Sequence, residues 1–222
     1  MTKIALTQRL IAASLVAGSL LPFAGTASAV IFTPPGEGAP QRGEAASSRS
    51  GGVCSHGGQG TNAPAMVVPL LPQGNYGTTV AERPEILVYV PASQAKQALF
   101  SLKDKARDTR YQAVVPLSGD SEILTVRLPE TAPALAEGET YTWYLALQCE
   151  GSIRPVSPVE GKIKRIAPSS NTALRSSAQP ADIEALLDVA SRYGAEGIWY
   201  DTVATLARLK SAQPADATID RH

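Results

Sequence analysis

The sequence predicts a mainly β protein: a two-sheet antiparallel sandwich over residues 66–166, followed by a C-terminal helical hairpin. Three observations lead there. Between 66 and 166, short runs of β-forming residues alternate with turn signals every ten or so positions. The stretch from Tyr141 to Cys149 alternates strictly between large apolar and polar or small side chains. Beyond residue 180, two apolar stripes recur at helical spacing.

The chain opens with Lys3 and Arg9, an uncharged apolar stretch over 10–21, Pro22, and the small-x-small triplet Ala27-Ser28-Ala29. These are the parts of a secretory signal peptide, with cleavage expected before Val30. The apolar stretch falls short of the roughly 20 residues that a spanning helix needs, so no transmembrane anchor is expected after cleavage. Removing residues 1–29 leaves 18 basic and 20 acidic side chains, a net charge of −2. That balance is a poor basis for nucleic-acid binding, which needs concentrated positive charge. The expected location is exported, periplasmic or extracellular. In an oxidising compartment the two cysteines, Cys54 and Cys149, are expected to form a disulfide. Closing so long a loop removes unfolded-state entropy worth about 4–5 kcal/mol in the chain-entropy account.

Residues 30–65 read as an irregular Gly/Pro-rich arm. Eight of the 25 residues from 36 to 60 are glycine, and such a segment buries too little apolar surface to offset its ordering cost. It lacks the Lys-Ser/Thr ending of a phosphate-binding loop. Strands are expected near 66–71, 85–90, 98–102, 111–117, 122–128, 140–149 and 160–166. Pro72, Pro84, Pro91, Pro116, Pro129 and Pro158 stand at their borders, where no ladder donor is required. Within 140–149, Tyr141, Trp143, Leu145, Leu147 and Cys149 share the core side. Leu135, Gly138 and Tyr141 have the spacing of a tyrosine corner, whose hydroxyl bonds upstream backbone where the chain crosses between sheets. In this the domain resembles fibronectin type III and immunoglobulin-like domains.

Residues 167–180 are rich in Ser, Ala and Pro and read as a linker. In 181–222, Ile183, Leu186, Leu187 and Ala190 give one helical stripe, ended by Gly194 as its cap. Ile198, Trp199, Thr202, Val203, Leu206 and Leu209 give a second, followed by a polar tail. The short connection predicts an antiparallel hairpin docked on the sandwich.

Several segments carry a family resemblance. They are Phe32-Thr33-Pro34-Pro35, Gly51-Gly52-Val53-Cys54, Thr79 with Glu82-Arg83-Pro84, Tyr141-Thr142-Trp143-Tyr144, Val159-Glu160-Gly161, and above all Gly197-Ile198-Trp199-Tyr200-Asp201. With these the chain resembles an exported, mostly cyanobacterial family, domain of unknown function 928. The family usually continues into another apolar helical stretch, whereas the tail here, from Gln213 to His222, is polar. The resemblance implies a compartment and an organism group. It brings no activity, cofactor or catalytic residue with it.

The residues themselves offer little for catalysis. His56 lies in the arm and His222 ends the chain, so neither has a scaffold to hold it against a serine. The Gly-x-Ser-x-Gly elbow is absent. Two cysteines and two histidines do not make the usual four-ligand zinc site, and no metal or cofactor is expected. Acids such as Glu82, Glu85, Asp120, Glu122 and Glu160 could pair for glycoside hydrolysis, but carboxylates in turns are mostly solvated.

Tyr141, Trp143 and Trp199 are expected in the core, Trp199 as a plug between helices and sandwich. Arg83, Tyr200 and Asp201 are the residues that could contact a ligand. Asp201 is first expected to favour the start of the second helix. The function expected is a non-enzymatic interaction module of the periplasm or envelope, binding another protein such as a sensor ectodomain. A carbohydrate-binding module using Trp143, Trp199 or Tyr200 is the alternative, and a hydrolase the least favoured.

Overall fold

The computed structural model describes residues 30–34, 54, 66–149, 158–169 and 183–212. The expected signal peptide, most of the expected arm and linker, and residues 213–222 lie outside the described residues.

Eight strands appear among the described residues: β1 Val68–Pro69, β2 Tyr76–Thr79, β3 Glu85–Val90, β4 Gln97–Lys103, β5 Thr109–Pro116, β6 Glu122–Arg127, β7 Thr140–Gln148 and β8 Val159–Arg165. They form a three-stranded sheet, β1-β3-β6, and a five-stranded sheet, β2-β8-β7-β4-β5. Alternation decides what each strand buries. Ile86, Val88 and Val90 of β3 and Leu124 and Val126 of β6 face Phe100, Leu102, Trp143, Leu145 and Ile163 across one shared core. The result is a β-sandwich with the expected tyrosine corner. The Ala136 N–H donates to the Tyr141 hydroxyl at 2.9 Å, with Gly138 turning at φ +80°.

The opening strand departs from expectation. Residues 66–71 contribute only β1; the chain then turns through Gly74 and Asn75, both at positive φ. It crosses to the other sheet as β2, which pairs parallel with β8. Tyr-Gly-Thr-Thr offers no apolar alternation, so β2 carries no strand signal of its own. Among the described residues the sheets thus combine this one parallel pairing with five antiparallel ones.

Two helices follow, α1 Ile183–Ala195 and α2 Trp199–Ala212. The cap of α1 is Gly197, not Gly194. Gly197 sits at φ +72°, its N–H donates to the Gly194 carbonyl at 3.1 Å, and the Ile198 N–H donates to the Tyr193 carbonyl at 2.8 Å. That pair of bonds is a Schellman motif. Gly194 is small for another reason: a Cβ there would stand 2.6 Å from the Ile31 carbonyl oxygen. The strap 30–34 lies against the hairpin, and the Thr33 N–H donates to the Gly194 carbonyl at 2.8 Å.

Helix α2 packs on α1, β2 and β3. Leu87 points out of the three-stranded sheet yet is only 4% exposed, in keeping with that docking. Cys54 is bonded to Cys149, with Cα atoms 5.4 Å apart, and its carbonyl accepts from the Gln94 N–H. The arm is thereby tied to the end of β7 and to the β3–β4 connection.

Candidate functional site

The first turn of α2 enters the open side of the sandwich beside β2. Its leading side chain is Tyr200, 2% exposed. The Trp143 Nε1–H donates to the Tyr200 hydroxyl at 2.7 Å, and the hydroxyl donates to the Lys162 carbonyl at 3.1 Å. Two missing side chains make the fit feasible. A Cβ on Gly77 would lie 2.9 Å from the Tyr200 ring, and one on Gly161 2.5 Å from the Trp143 ring. Burial pushes the Tyr200 phenol further up than an ordinary tyrosine.

Asp201 follows and grips the crossover between the sheets. Its Oδ2 accepts from the Val80 N–H at 3.2 Å. Desolvation pushes this carboxyl up to about 6, against the opposing effects of hydrogen bonds from Thr79 and Val80 and of the Arg208 charge. The Thr78 hydroxyl donates to the Gly197 carbonyl at 2.9 Å, so Thr78 in β2 and Val80 just beyond it hold the turn before α2 and its first turn.

Around this contact lies a groove of about 100 Å³ lined by Thr79, Arg83, Glu85, Tyr193, Tyr200, Asp201 and Arg208 among others. The Glu85 carboxylate lies 3.0 Å from both Arg127 Nε and Arg208 Nη2. The Arg83 Nη2 donates to the Glu130 carbonyl at 3.2 Å, and its Nη1 lies 3.4 Å from the Glu130 carboxylate. Behind it, the Arg165 Nη1 donates to the Leu135 carbonyl at 2.7 Å and its Nη2 meets Glu82 at 3.0 Å.

The three side chains read from sequence as ligand contacts, Arg83, Tyr200 and Asp201, thus meet in one groove. Each is engaged within the chain. Trp143 is fully buried beneath them and Tyr141 closes its corner. Trp199 stands outside the groove and is only partly buried. Its Nε1–H donates to the Leu70 carbonyl at 2.8 Å, and Phe32 meets its ring edge to face at 4.7 Å. The plug role expected of Trp199 falls to Tyr200, one residue along. Tyr193 and Arg208 were missed, and Glu85 was weighed only as a hydrolytic acid, because strand and helix segments distant in sequence reach the rim only in the folded chain.

Of the acids weighed as a hydrolytic pair, Glu82 and Glu85 are in ion pairs, and Glu122 caps a turn at Ser118. Among the described residues no three His, Cys, Asp or Glu side chains are grouped to hold a metal ion, and no helix is long and apolar enough to cross a membrane.

A second feature lies on the outer face of the three-stranded sheet. Val68, Tyr89 and Ile123 are in direct cross-strand register, and are 46%, 38% and 46% exposed. They form one apolar row across all three strands. The outward parity of Tyr89 in β3 was the available sequence signal.

A family model described as Domain of Unknown Function (DUF928) matches residues 44–222. Among solved structures, the fn3 domain of the human collagen alpha-1(XX) chain is similar at 15% identity, covering 58% of this chain and 98% of that one, with a TM-score of 0.31. No curated protein matches the chain.

Proposed function

The chain belongs to the DUF928 family, and on that footing we propose that it is an exported, non-enzymatic interaction module that binds a partner protein of the cell envelope. The observation that carries this reading is the Val68–Tyr89–Ile123 row, aligned across the sheet and uncovered. Single exposed apolar residues are ordinary, whereas a contiguous apolar strip is a feature of protein interaction sites. Tyrosine at the middle of such a strip adds a large contact area at low entropic cost.

The signal-peptide pattern of residues 1–29 and the Cys54–Cys149 bond support work in an oxidising compartment. The cyanobacterial origin implied by the family resemblance belongs to the same reading, and a sensor ectodomain is the kind of partner it fits. Support for a non-enzymatic role comes from the groove. Its distinctive side chains hold the helical hairpin to the sandwich. Trp143 and Tyr200, two of the three aromatics considered as a sugar platform, are buried.

The test uses disulfide-bonded protein beginning at Val30, immobilised beside a Tyr89→Ser/Ile123→Ser variant of equal stability. Envelope proteins retained by the first and lost by the second are the expected result. Identical retention would remove the strip as the binding surface. Intact mass of protein recovered outside the cytoplasm should correspond to a Val30 start.

A further inference from the structure

The outer face of the five-stranded sheet has a different chemistry. Cross-strand register sets Lys103, Thr142, Lys162 and Tyr76 in one row across four strands. Lys164 and Thr140 form the next row. Strand spacing puts Lys103 about 10 Å from Lys162 at the backbone, and Lys164 about 7 Å along β8 from Lys162. None of the three lysines makes an ion pair among the described residues, whereas neighbouring Lys105 is matched to Glu139 at 3.0 Å. Lys103 Nζ lies 5.7 Å from the centre of the Tyr144 ring, a cation–π contact that keeps the ammonium over the sheet. These two rows hold no acid, and Glu160 stands opposite Tyr144 in the row beyond Lys162. This face is therefore locally cationic on a chain whose part from residue 30 onward carries net charge −2. The hairpin packs on β2 and β3, away from β4 and β7 at the middle of this face.

We infer that this face binds an extended acidic polysaccharide, one bearing carboxylate or sulfate groups along its length. Charge complementarity selects an anion. The face of a pleated sheet is an extended surface, suited to a long ligand, whereas small ligands favour concave clefts. Lysines at positions fixed by strand register, with Thr140 and Thr142 between and beside them, suit a polymer that repeats anionic and hydroxyl groups. Three lysines fall short of the four to eight basic residues typical of recruitment to anionic lipid. The site is separate from the apolar row of the other sheet, and it uses charge where the aromatic sugar platform considered from sequence would have used stacking. The choice of a polysaccharide over an intracellular polyanion rests on the export reading; the binding measurement does not.

The experiment is titration calorimetry of the disulfide-bonded chain from Val30 with polygalacturonate and with dextran sulfate. Neutral dextran, poly-L-glutamate and single-stranded DNA run as controls. Binding to an acidic polysaccharide that weakens as salt rises is expected. Lys103→Gln/Lys162→Gln/Lys164→Gln should lower affinity roughly tenfold, since three exposed charge contacts each contribute a few-fold. The corresponding triple Arg variant should retain it, and Tyr89→Ser/Ile123→Ser should leave it unchanged. Absence of binding to both acidic polysaccharides, or equal affinity of the triple Gln variant, would overturn the assignment. Equal binding of neutral dextran would overturn the role of charge. Poly-L-glutamate or DNA bound as tightly as the polysaccharides would overturn the ligand class.

Discussion

Replacing Tyr200 by Phe tests how the helical hairpin is held to the sandwich. The ring stays and the hydroxyl goes, so the Gly77 and Gly161 clearances are undisturbed. What is lost is the shared partner of the Trp143 Nε1–H and the Lys162 carbonyl, at 2.7 and 3.1 Å. Trp143 is 0% exposed, so water cannot replace the acceptor, and a buried donor left unpaired costs about 1–3 kcal/mol. Tyr200→Ala removes the ring as well and should cost about 3–5 kcal/mol. Urea unfolding of the disulfide-bonded protein, followed by near-ultraviolet circular dichroism, measures both. Tyr89→Phe, at an exposed position, should change stability by under about 0.5 kcal/mol. A double-mutant cycle with Trp143→Phe should show coupling of about 0.5–3 kcal/mol, as expected for residues in direct contact. A Tyr200→Phe midpoint equal to wild type, with no coupling to Trp143, would refute the claim that this hydrogen bond anchors the hairpin.

Asp201→Asn keeps a hydrogen-bond acceptor for the Val80 N–H and removes a desolvated charge. The carboxyl sits at about 6 in the folded chain against 3.8 ordinarily, so its contribution to stability is full below about pH 4 and is lost as pH rises through about 6. A shift of about two units caps that loss near 3 kcal/mol, and a smaller value is expected because Asp201 is not fully enclosed. Wild type should lose stability relative to the Asn variant between pH 4 and 6; parallel profiles by thermal melting would contradict this. Reducing the Cys54–Cys149 bond, which closes a separation of 95 residues, should lower stability by up to about 4–5 kcal/mol, read as a drop in urea midpoint. An unchanged midpoint would mean that the arm stays tied without it. Phe32→Ala should cost about 0.5–1.5 kcal/mol through its contact with Trp199, and it should increase amide exchange in the last turn of α1, where Thr33 bonds Gly194.

How much of this was legible in the sequence depended on whether the deciding physics was local. The strand from Tyr141 onward was readable because its alternation and corner spacing are internal to one segment, and the phenol bonds backbone only five residues back. The Cys54–Cys149 pair was readable by number alone. β2 was not, because Gly77 and its threonines are chosen for what they admit, the Tyr200 ring and the Asp201 carboxylate, and not for burial of their own. The same fact explains Trp199. Ile198, Trp199 and Tyr200 are consecutive and all large, so helical period cannot say which of them points inward. Gly77 and Gly161 settle it, on strands far away in sequence. Gly197 as the cap was hidden in the same way by a second glycine three residues earlier.

The groove shows why a cluster of chemically suggestive residues need not be where a protein meets its ligand. Arg83, Tyr200 and Asp201 converge, and convergence of polar groups in a cleft is the usual mark of a binding site. Here each polar atom bound to a neighbour serves a mechanical end. The Tyr200 hydroxyl joins α2 to β7 and β8, Asp201 joins α2 to the crossover, and Arg83 and Arg165 secure the loop carrying Glu130 and Leu135. A ligand entering the groove would have to compete with these bonds in a partly desolvated setting, where leaving either member unpaired is costly. The side chains of the apolar row and of the three lysines, by contrast, project from the sheets and take no part in locking the hairpin, for Lys162 receives the Tyr200 hydroxyl through its backbone carbonyl alone. Substituting them changes what the surface can bind without loosening the fold. A binding function placed on the sheet faces can therefore vary independently of the clamp, while one placed in the groove would trade affinity against the docking of the hairpin.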